Sequence, residues 1–305
     1  MGGMPNDSVK IVEVGPRDGL QNEPSDVSTA QKLALIEALV DAGLACVEAT
    51  AFVSPRWVPQ MADHAEVLTT LMRGPLAQRA RFPVLTPNLK GYEAARDAGA
   101  REVAVFAAAS EAFSQKNINC SIDESLARFR PLLEAAAQDG IAVRGYLSCV
   151  LGCPYSGAVS AHKVSELAAR LISAGCYEVS LGDTIGVGTP HQTRALIESV
   201  SRRIPVSLVA GHFHDTYGQA LANVYAAMEA GVRVFDASVA GLGGCPYAKG
   251  ASGNLATEDL VYLCQGLGVD TGVDLEKLVT AGDDICQALG RVNQSRVARA
   301  MLAKR

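Results

Sequence analysis

The chain has 305 residues, 49% of them hydrophobic, and a net charge of −5. That length supports a large buried core in one or two domains, and barrels of this size are often single. The mild acidity, with no basic block, disfavours nucleic acid and membrane surfaces, and no apolar run approaches the roughly 20 residues of a membrane span. Residues 1–5 are too few for a signal-peptide core, and Asp7 and Lys10 interrupt the segment beyond them, so no secretory leader is expected. The eight cysteines are scattered, and Cys149-x-x-x-Cys153 has no second pair at zinc spacing. They read as reduced thiols in a cytoplasmic compartment.

The β-branched run 10–14 predicts a first strand, followed by a polar loop over 15–23. Ser28 or Thr29 caps a helix to about Asp41 that is stopped by Gly43. A second strand over 45–49 brings Glu48 to its end. Helix 61–72 and strand 81–86 follow, then helix 89–98 and strand 102–107. A long loop, 108–119, opens helix 122–138, which Gly140 stops. Strand 142–150, helix 162–173 and strand 177–181 lead to Asp183. Helix 191–203 precedes an apolar strand that runs into His212-Phe213-His214-Asp215. A helix over 219–229, a strand over 232–239 and a glycine-rich loop from Gly241 to Tyr247 complete the pattern.

Eight strand–helix units imply a parallel sheet, and at this length a closed α/β (β/α)8 TIM barrel. The expectation is one catalytic domain over 1–305, its barrel at about 9–270, with one or two extra helices at about 274–305.

In such barrels chemistry sits at the carboxyl ends of the strands. Arg17 and Asp18 follow the first strand, Glu48 ends the second and Asp183 follows the sixth. His212 and His214 end the seventh, and Cys245 and Asn254 follow the eighth. All are expected on one rim. Side chains alternate along a strand, so the two histidines face the same side. Asp18, His212, His214 and Asn254 then form a mixed oxygen–nitrogen set for a divalent metal, with Mn, Fe or Zn admitted by the imidazoles. Arg17 carries a permanent charge suited to a developing enolate. The bland alternatives are a surface salt bridge for Arg17 and helix capping or rim ion pairs for Glu48 and Asp183. For the histidine pair alone, and for Cys245 alone in its loop, an inert role is the commoner outcome.

The stretches VEVGPRDGLQNE, VEATAFVSPRWVPQM, KNINCSIDESLARF, RGYLSCVLGCPY, SLGDTIGVGTP, GHFHDTYGQALAN and GLGGCPYAKGASGNLATEDL are spread from Val12 to Leu260. Together they resemble the 3-hydroxy-3-methylglutaryl-CoA lyase family. The Arg-Asp pair and the His-x-His are shared with a wider metallolyase and synthase superfamily, and the loop around Cys245 is more specific. The resemblance implies a Mg²⁺- or Mn²⁺-dependent cleavage of 3-hydroxy-3-methylglutaryl-CoA to acetyl-CoA and acetoacetate, in leucine breakdown and ketone-body formation. It implies Asp18, His212, His214 and Asn254 as metal ligands, Arg17 as enolate stabiliser and Cys245 in proton transfer. Glu13, Glu48, Asp183 and Glu258 match acidic residues tied to the site or its integrity. Asp183, Glu48 and His212 stay open as the general base. A Claisen-type synthase of the same superfamily and a non-catalytic metal- or acyl-CoA-binding barrel are the alternatives. The expected partner is a small acyl-CoA, and a homodimer stays open. Residues 54–56 and 117–119 are candidates for CoA contacts. Arg144 and Lys249 are candidates for phosphate contacts, with a solvated surface role as the alternative.

Overall fold

β1 (Lys10–Glu13) is an apolar run whose three last residues are buried. In the computed structural model, which describes residues 8–244 and 253–305, it pairs in parallel with β8 (Val234–Ala237). Between them run β2 (Thr50–Ala51), β3 (Val84–Leu85), β4 (Glu102–Ala108), β5 (Ala142–Ser148), β6 (Glu178–Asp183) and β7 (Val209–Phe213). The sheet order is β1-β8-β7-β6-β5-β4-β3-β2, parallel throughout. A further parallel bridge joins Glu13 to Val47, just ahead of β2, so the two ends of the sheet meet. Eight parallel strands in a curled sheet with helices between them form an α/β architecture consistent with a (β/α)8 barrel.

The helices are α1 (Thr29–Asp41), α2 (His64–Arg73), α3 (Leu89–Asp97), α4 (Glu111–Ile118), α5 (Ile122–Asp139) and α6 (Ala161–Ser173). They continue with α7 (Pro190–Ser201), α8 (Ala220–Glu229), α9 (Thr257–Leu267), α10 (Leu275–Leu289) and α11 (Arg296–Leu302). Local chemistry fixes their ends. Ser28 and Gln31 form a reciprocal capping box on α1, and Ser121 and Glu124 do the same on α5. Gly140 ends α5 in the left-handed conformation that a side chain disfavours. The apolar faces of these helices bury Leu35, Ile36 and Leu39 of α1 and Leu132 and Leu133 of α5 in one continuous core with the strands.

Three local expectations change. The stretch 108–119 is not a continuous loop: Ser110 accepts a hydrogen bond from Phe113 N and starts α4, which ends at the left-handed Asn119. Its sequence, EAFSQKNI, carries little apolar periodicity, so only the cap signals it. The turn after β1 is one π-helical turn, Gly15–Gly19, rather than an irregular loop. There the Val14 carbonyl accepts from the amides of Arg17, Asp18 and Gly19. β2 and β3 are only two residues each, with isolated bridges at Cys46, Val47 and Arg81 extending the contact. Among the described residues no helix is long and apolar enough to cross a membrane.

Candidate metal centre and active site

The π-helical turn after β1 presents Arg17 and Asp18 side by side at the carboxyl end of the barrel. Arg17 is nearly buried and donates twice, from Nε to Glu48 Oε2 at 2.7 Å and from Nη1 to Asp18 Oδ1 at 2.6 Å. Its guanidinium lies 5.5 Å from the centre of the Tyr146 ring, and that of Arg144 lies 5.0 Å from it. Tyr146 is thus a π surface shared by two cations. Burial alone would weaken the Arg17 charge, but Glu48 and Asp18 outweigh it and keep the guanidinium firmly protonated. Burial raises the Glu48 carboxyl even against the Arg17 charge. Its Oε1 is buried with no partner among the described residues.

His212 and His214 leave β7 on the same side, as strand alternation requires. Their Nε2 atoms face each other at 3.2 Å. One ligand atom each from Asp18, His212 and His214 lies within 4.8 Å of the other two. Burial acts to raise Asp18, but Arg17 and then the two histidines hold it down at about 2. Burial and the neighbouring His212 lower His214 to about 4. His212 moves the other way: burial lowers it, and the hydrogen bond and charge of Asp236 more than compensate. The Nδ1 of His214 is buried and has no partner among the described residues.

Asn254 reaches the same point from beyond β8. It forms an antiparallel bridge with His214, and its Nδ2 donates to Asp18 Oδ2 at 2.9 Å and to the Leu242 carbonyl at 3.2 Å. A half-turn of the amide would present Oδ1, the atom a cation takes. The approach needs two glycines in contact: Gly253, at φ +83°, sits where any Cβ would strike the Gly243 carbonyl.

The site fits a divalent cation on this chain's own features. Two imidazoles and an ionised carboxylate bring ligand atoms within 4.8 Å of one another, an electron-rich set that a cation would bind. A buried imidazole nitrogen is left over. A mixed nitrogen and oxygen set suits a divalent cation.

A cavity of about 760 Å³ opens beside the cluster, lined by Arg17, Asp18, His212, His214, Tyr146 and Ser180 among others. Ser54 and residues 117–119, two of the CoA-contact candidates, also line it, whereas Pro55 and Arg56 do not. Asp183, the last residue of β6, is fully buried. Its carboxylate accepts from Val187 N at 3.1 Å and Gly188 N at 2.9 Å, shaping the loop after β6. Burial raises it, against those two hydrogen bonds. Neither Asp183 nor Glu48 lines the cavity.

Glu13 accepts from Gly15 N, Val239 N and the Thr257 hydroxyl, and Glu258 accepts from Ala240 N with both oxygens. Both acids therefore anchor the ends of the glycine-rich loop. Cys245 and Lys249 lie outside the described residues. Arg144 is not a phosphate contact at the surface. It is fully buried, donating to Glu178 at 2.7 Å and to Asp236 at 2.8 Å. A charged residue inside an apolar strand is the sequence's hint of that pairing, and no motif marks Tyr146, Ser180 or Asp236.

The HMGL-like family model matches residues 8–285. A bovine relative, the mitochondrial hydroxymethylglutaryl-CoA lyase of Bos taurus, is 63% identical over 96% of this chain and 89% of its own. A Pseudomonas aeruginosa relative named 3-hydroxy-3-isohexenylglutaryl-CoA/hydroxy-methylglutaryl-CoA lyase is 60% identical over 97% of this chain and 98% of its own. The crystal structure of hydroxymethylglutaryl-CoA lyase from Pseudomonas aeruginosa superposes with a TM-score of 0.95 at 59% identity, covering 98% of this chain and 99% of that one. With the resemblance seen in the motifs now matched along nearly the whole length, the chain belongs to the HMGL-like family, among the hydroxymethylglutaryl-CoA lyases.

Proposed function

We propose that this chain cleaves 3-hydroxy-3-methylglutaryl-CoA to acetyl-CoA and acetoacetate at the mouth of a TIM barrel. The observation that carries the reading is the convergence of Asp18, His212 and His214 within 4.8 Å, beside a cavity that Arg17 also lines. Asp18, His212, His214 and Asn254 would hold the cation, Mg²⁺ or Mn²⁺. When bound, it supplies positive charge that lowers the pKa of the substrate's tertiary hydroxyl.

The chain's own groups do the rest. The hydroxyl gives its proton to a base, for which Asp183, Glu48 and His212 are the candidates; the bond between C2 and C3 breaks, and C3 becomes the ketone of acetoacetate. The electron pair passes to the acetyl-CoA fragment as an enolate, which takes a proton on carbon. Arg17 lines the cavity and makes no hydrogen bond from Nη2 among the described residues, so that edge is available to the enolate oxygen. Glu48 and Asp18 hold the guanidinium in place, which makes Glu48 a positioning residue. Asp183 spends both oxygens on backbone amides and shapes the rim. Of the three base candidates only His212 lines the cavity. With Nδ1 on Asp236 and Nε2 on a cation it has no free lone pair, so its ligand and base roles compete. Cys245, outside the described residues, is the proton donor that the family resemblance supports.

The reading treats 1–305 as one catalytic domain. It places the protein in the cytoplasm, with support from seven free, buried cysteines among the described residues. The test is product analysis: purified protein with 3-hydroxy-3-methylglutaryl-CoA should yield acetoacetate and acetyl-CoA in equal amounts. A condensing synthase would instead release free CoA thiol from acetyl-CoA and an oxo-acid, and that result would replace the lyase reading.

A further inference from the structure

The strand register places Asp236 of β8 directly beside His212 of β7. The Asp236 side chain is fully buried. Its Oδ1 accepts from Arg144 Nη2 at 2.8 Å. Its Oδ2 accepts from the Ser180 hydroxyl at 2.6 Å and meets His212 Nδ1 at 3.2 Å. The close ion pair with Arg144 and the Ser180 hydroxyl directed at its other oxygen make this group a carboxylate. An ionised carboxylate only accepts hydrogen bonds, so the proton on His212 sits on Nδ1. The lone pair is then on Nε2, the atom that faces His214 and Asp18.

His214 is held differently. Its Nδ1 is buried and has no partner among the described residues, none of whose carboxylates sets its tautomer. The two imidazoles are therefore unequal, one anchored from behind and one adaptable. A carboxylate behind a ligating histidine fixes ring orientation and raises ligand basicity.

We propose that Asp236 is a positioning residue for the metal centre, fixing His212 as the Nδ1–H tautomer with its Nε2 lone pair aimed at Asp18 and His214. The proposal rests on the metal reading above. A purely structural role would be charge balance for buried Arg144, and Glu178 separates the two. Glu178 accepts from Arg144 Nε at 2.7 Å and makes no hydrogen bond to His212 among the described residues.

The experiment titrates Mn²⁺ into metal-free protein by calorimetry, comparing wild type, Asp236→Asn and Glu178→Gln. Melting temperatures are measured alongside. Imidazole ¹⁵N spectra of histidine-labelled, metal-free protein are recorded above the imidazole titration range. Wild type should bind one Mn²⁺ and show His212 protonated on Nδ1. Asp236→Asn should bind about 10–100-fold more weakly and lose that tautomer preference. Glu178→Gln should melt lower and bind Mn²⁺ like wild type. Equal affinity in wild type and Asp236→Asn overturns the proposal. So does an equal loss in Glu178→Gln, which would assign the whole ion-pair layer to structure. If Asp236→Asn does not fold, the wild-type spectrum decides, and an Nε2–H His212 overturns the proposal. A wild type that binds no Mn²⁺ overturns the metal reading itself, and the positioning role with it.

Discussion

Glu48 and His214, at the mouth of the barrel, each keep one buried polar atom without a partner among the described residues, Oε1 and Nδ1 respectively. Glu13 and Glu258, under the glycine-rich loop, have every carboxylate oxygen engaged: Glu13 by two amides and a hydroxyl, Glu258 by the Ala240 amide. Both regions are buried and rich in carboxylates. An unpaired buried polar atom costs about 1–3 kcal/mol. Neutral groups such as Ser238 and Asn293 bear the same cost near the loop roots, but among the described residues the one buried carboxylate oxygen left so is Glu48 Oε1, at the mouth. At the loop roots the acids are saturated and act as staples. Among the buried acids the difference is one of engagement: Glu48 pairs with Arg17 through one oxygen only, whereas Glu13 and Glu258 bind backbone or hydroxyl donors with both.

Substitutions on the two sides should therefore fail differently. The largest expected effect is at Arg17. Arg17→Lys keeps the charge but loses the planar fork that binds Glu48 and Asp18 together. Steady-state kinetics should show kcat lower by about 10²–10³ with metal still bound. Near-normal turnover would move the enolate role elsewhere.

His214→Ala comes next. Removing a ligand should cost more metal affinity than the roughly 10–100-fold typical of a residue behind one. Metal analysis after dialysis should find the variant largely empty and its melting temperature little changed, because one orphaned nitrogen has also gone. Full occupancy would break the comparison at its mouth side.

Thr257→Val probes the saturated side. It leaves Glu13 Oε2 without its donor, at a cost of about 1–3 kcal/mol. Calorimetry should register a melting temperature a few degrees lower. Activity per folded molecule should stay as in wild type, and a selective loss of kcat would place Glu13 in the chemistry instead.

The smallest effect is in pH dependence. Burial raises Glu258 to about 8 and Glu13 to about 7, against the hydrogen bonds each accepts. A carboxyl whose folded value exceeds its unfolded value of 4.5 binds its proton more tightly when folded. Its contribution is complete below that unfolded value and is lost as pH climbs to about 8. Wild type should thus melt progressively lower across that window, and Glu258→Gln, which cannot titrate, should flatten the fall. Parallel slopes in the two proteins would show that Glu258 does not titrate there.

The alternation of apolar strands and helices was legible because each element needs one buried face, and that need leaves a periodic trace. The rim residues were legible for a related reason. Once the strands are placed, Asp18, His212 and His214 follow from the rule that strand ends share one rim. The His212–His214 pair needed only strand alternation. Glu48 was found, but its bond to Arg17 spans 31 residues and leaves no local trace. Arg144 was misplaced for the same reason. Its partners Glu178 and Asp236 lie 34 and 92 residues away, and only the barrel's register brings them together. α4 escaped notice because it is short and barely amphipathic, held by a Ser110 cap and by the loop it shares with α5.

The central claim, one cation held by two imidazoles, a carboxylate and an amide at the barrel mouth, is tested most directly by stripping the metal and returning it. Protein freed of metal should cleave no 3-hydroxy-3-methylglutaryl-CoA, and acetoacetate formation should rise in step with bound Mn²⁺ to one ion per chain. Full turnover in the stripped protein, or saturation of activity well short of one ion per chain, would contradict it.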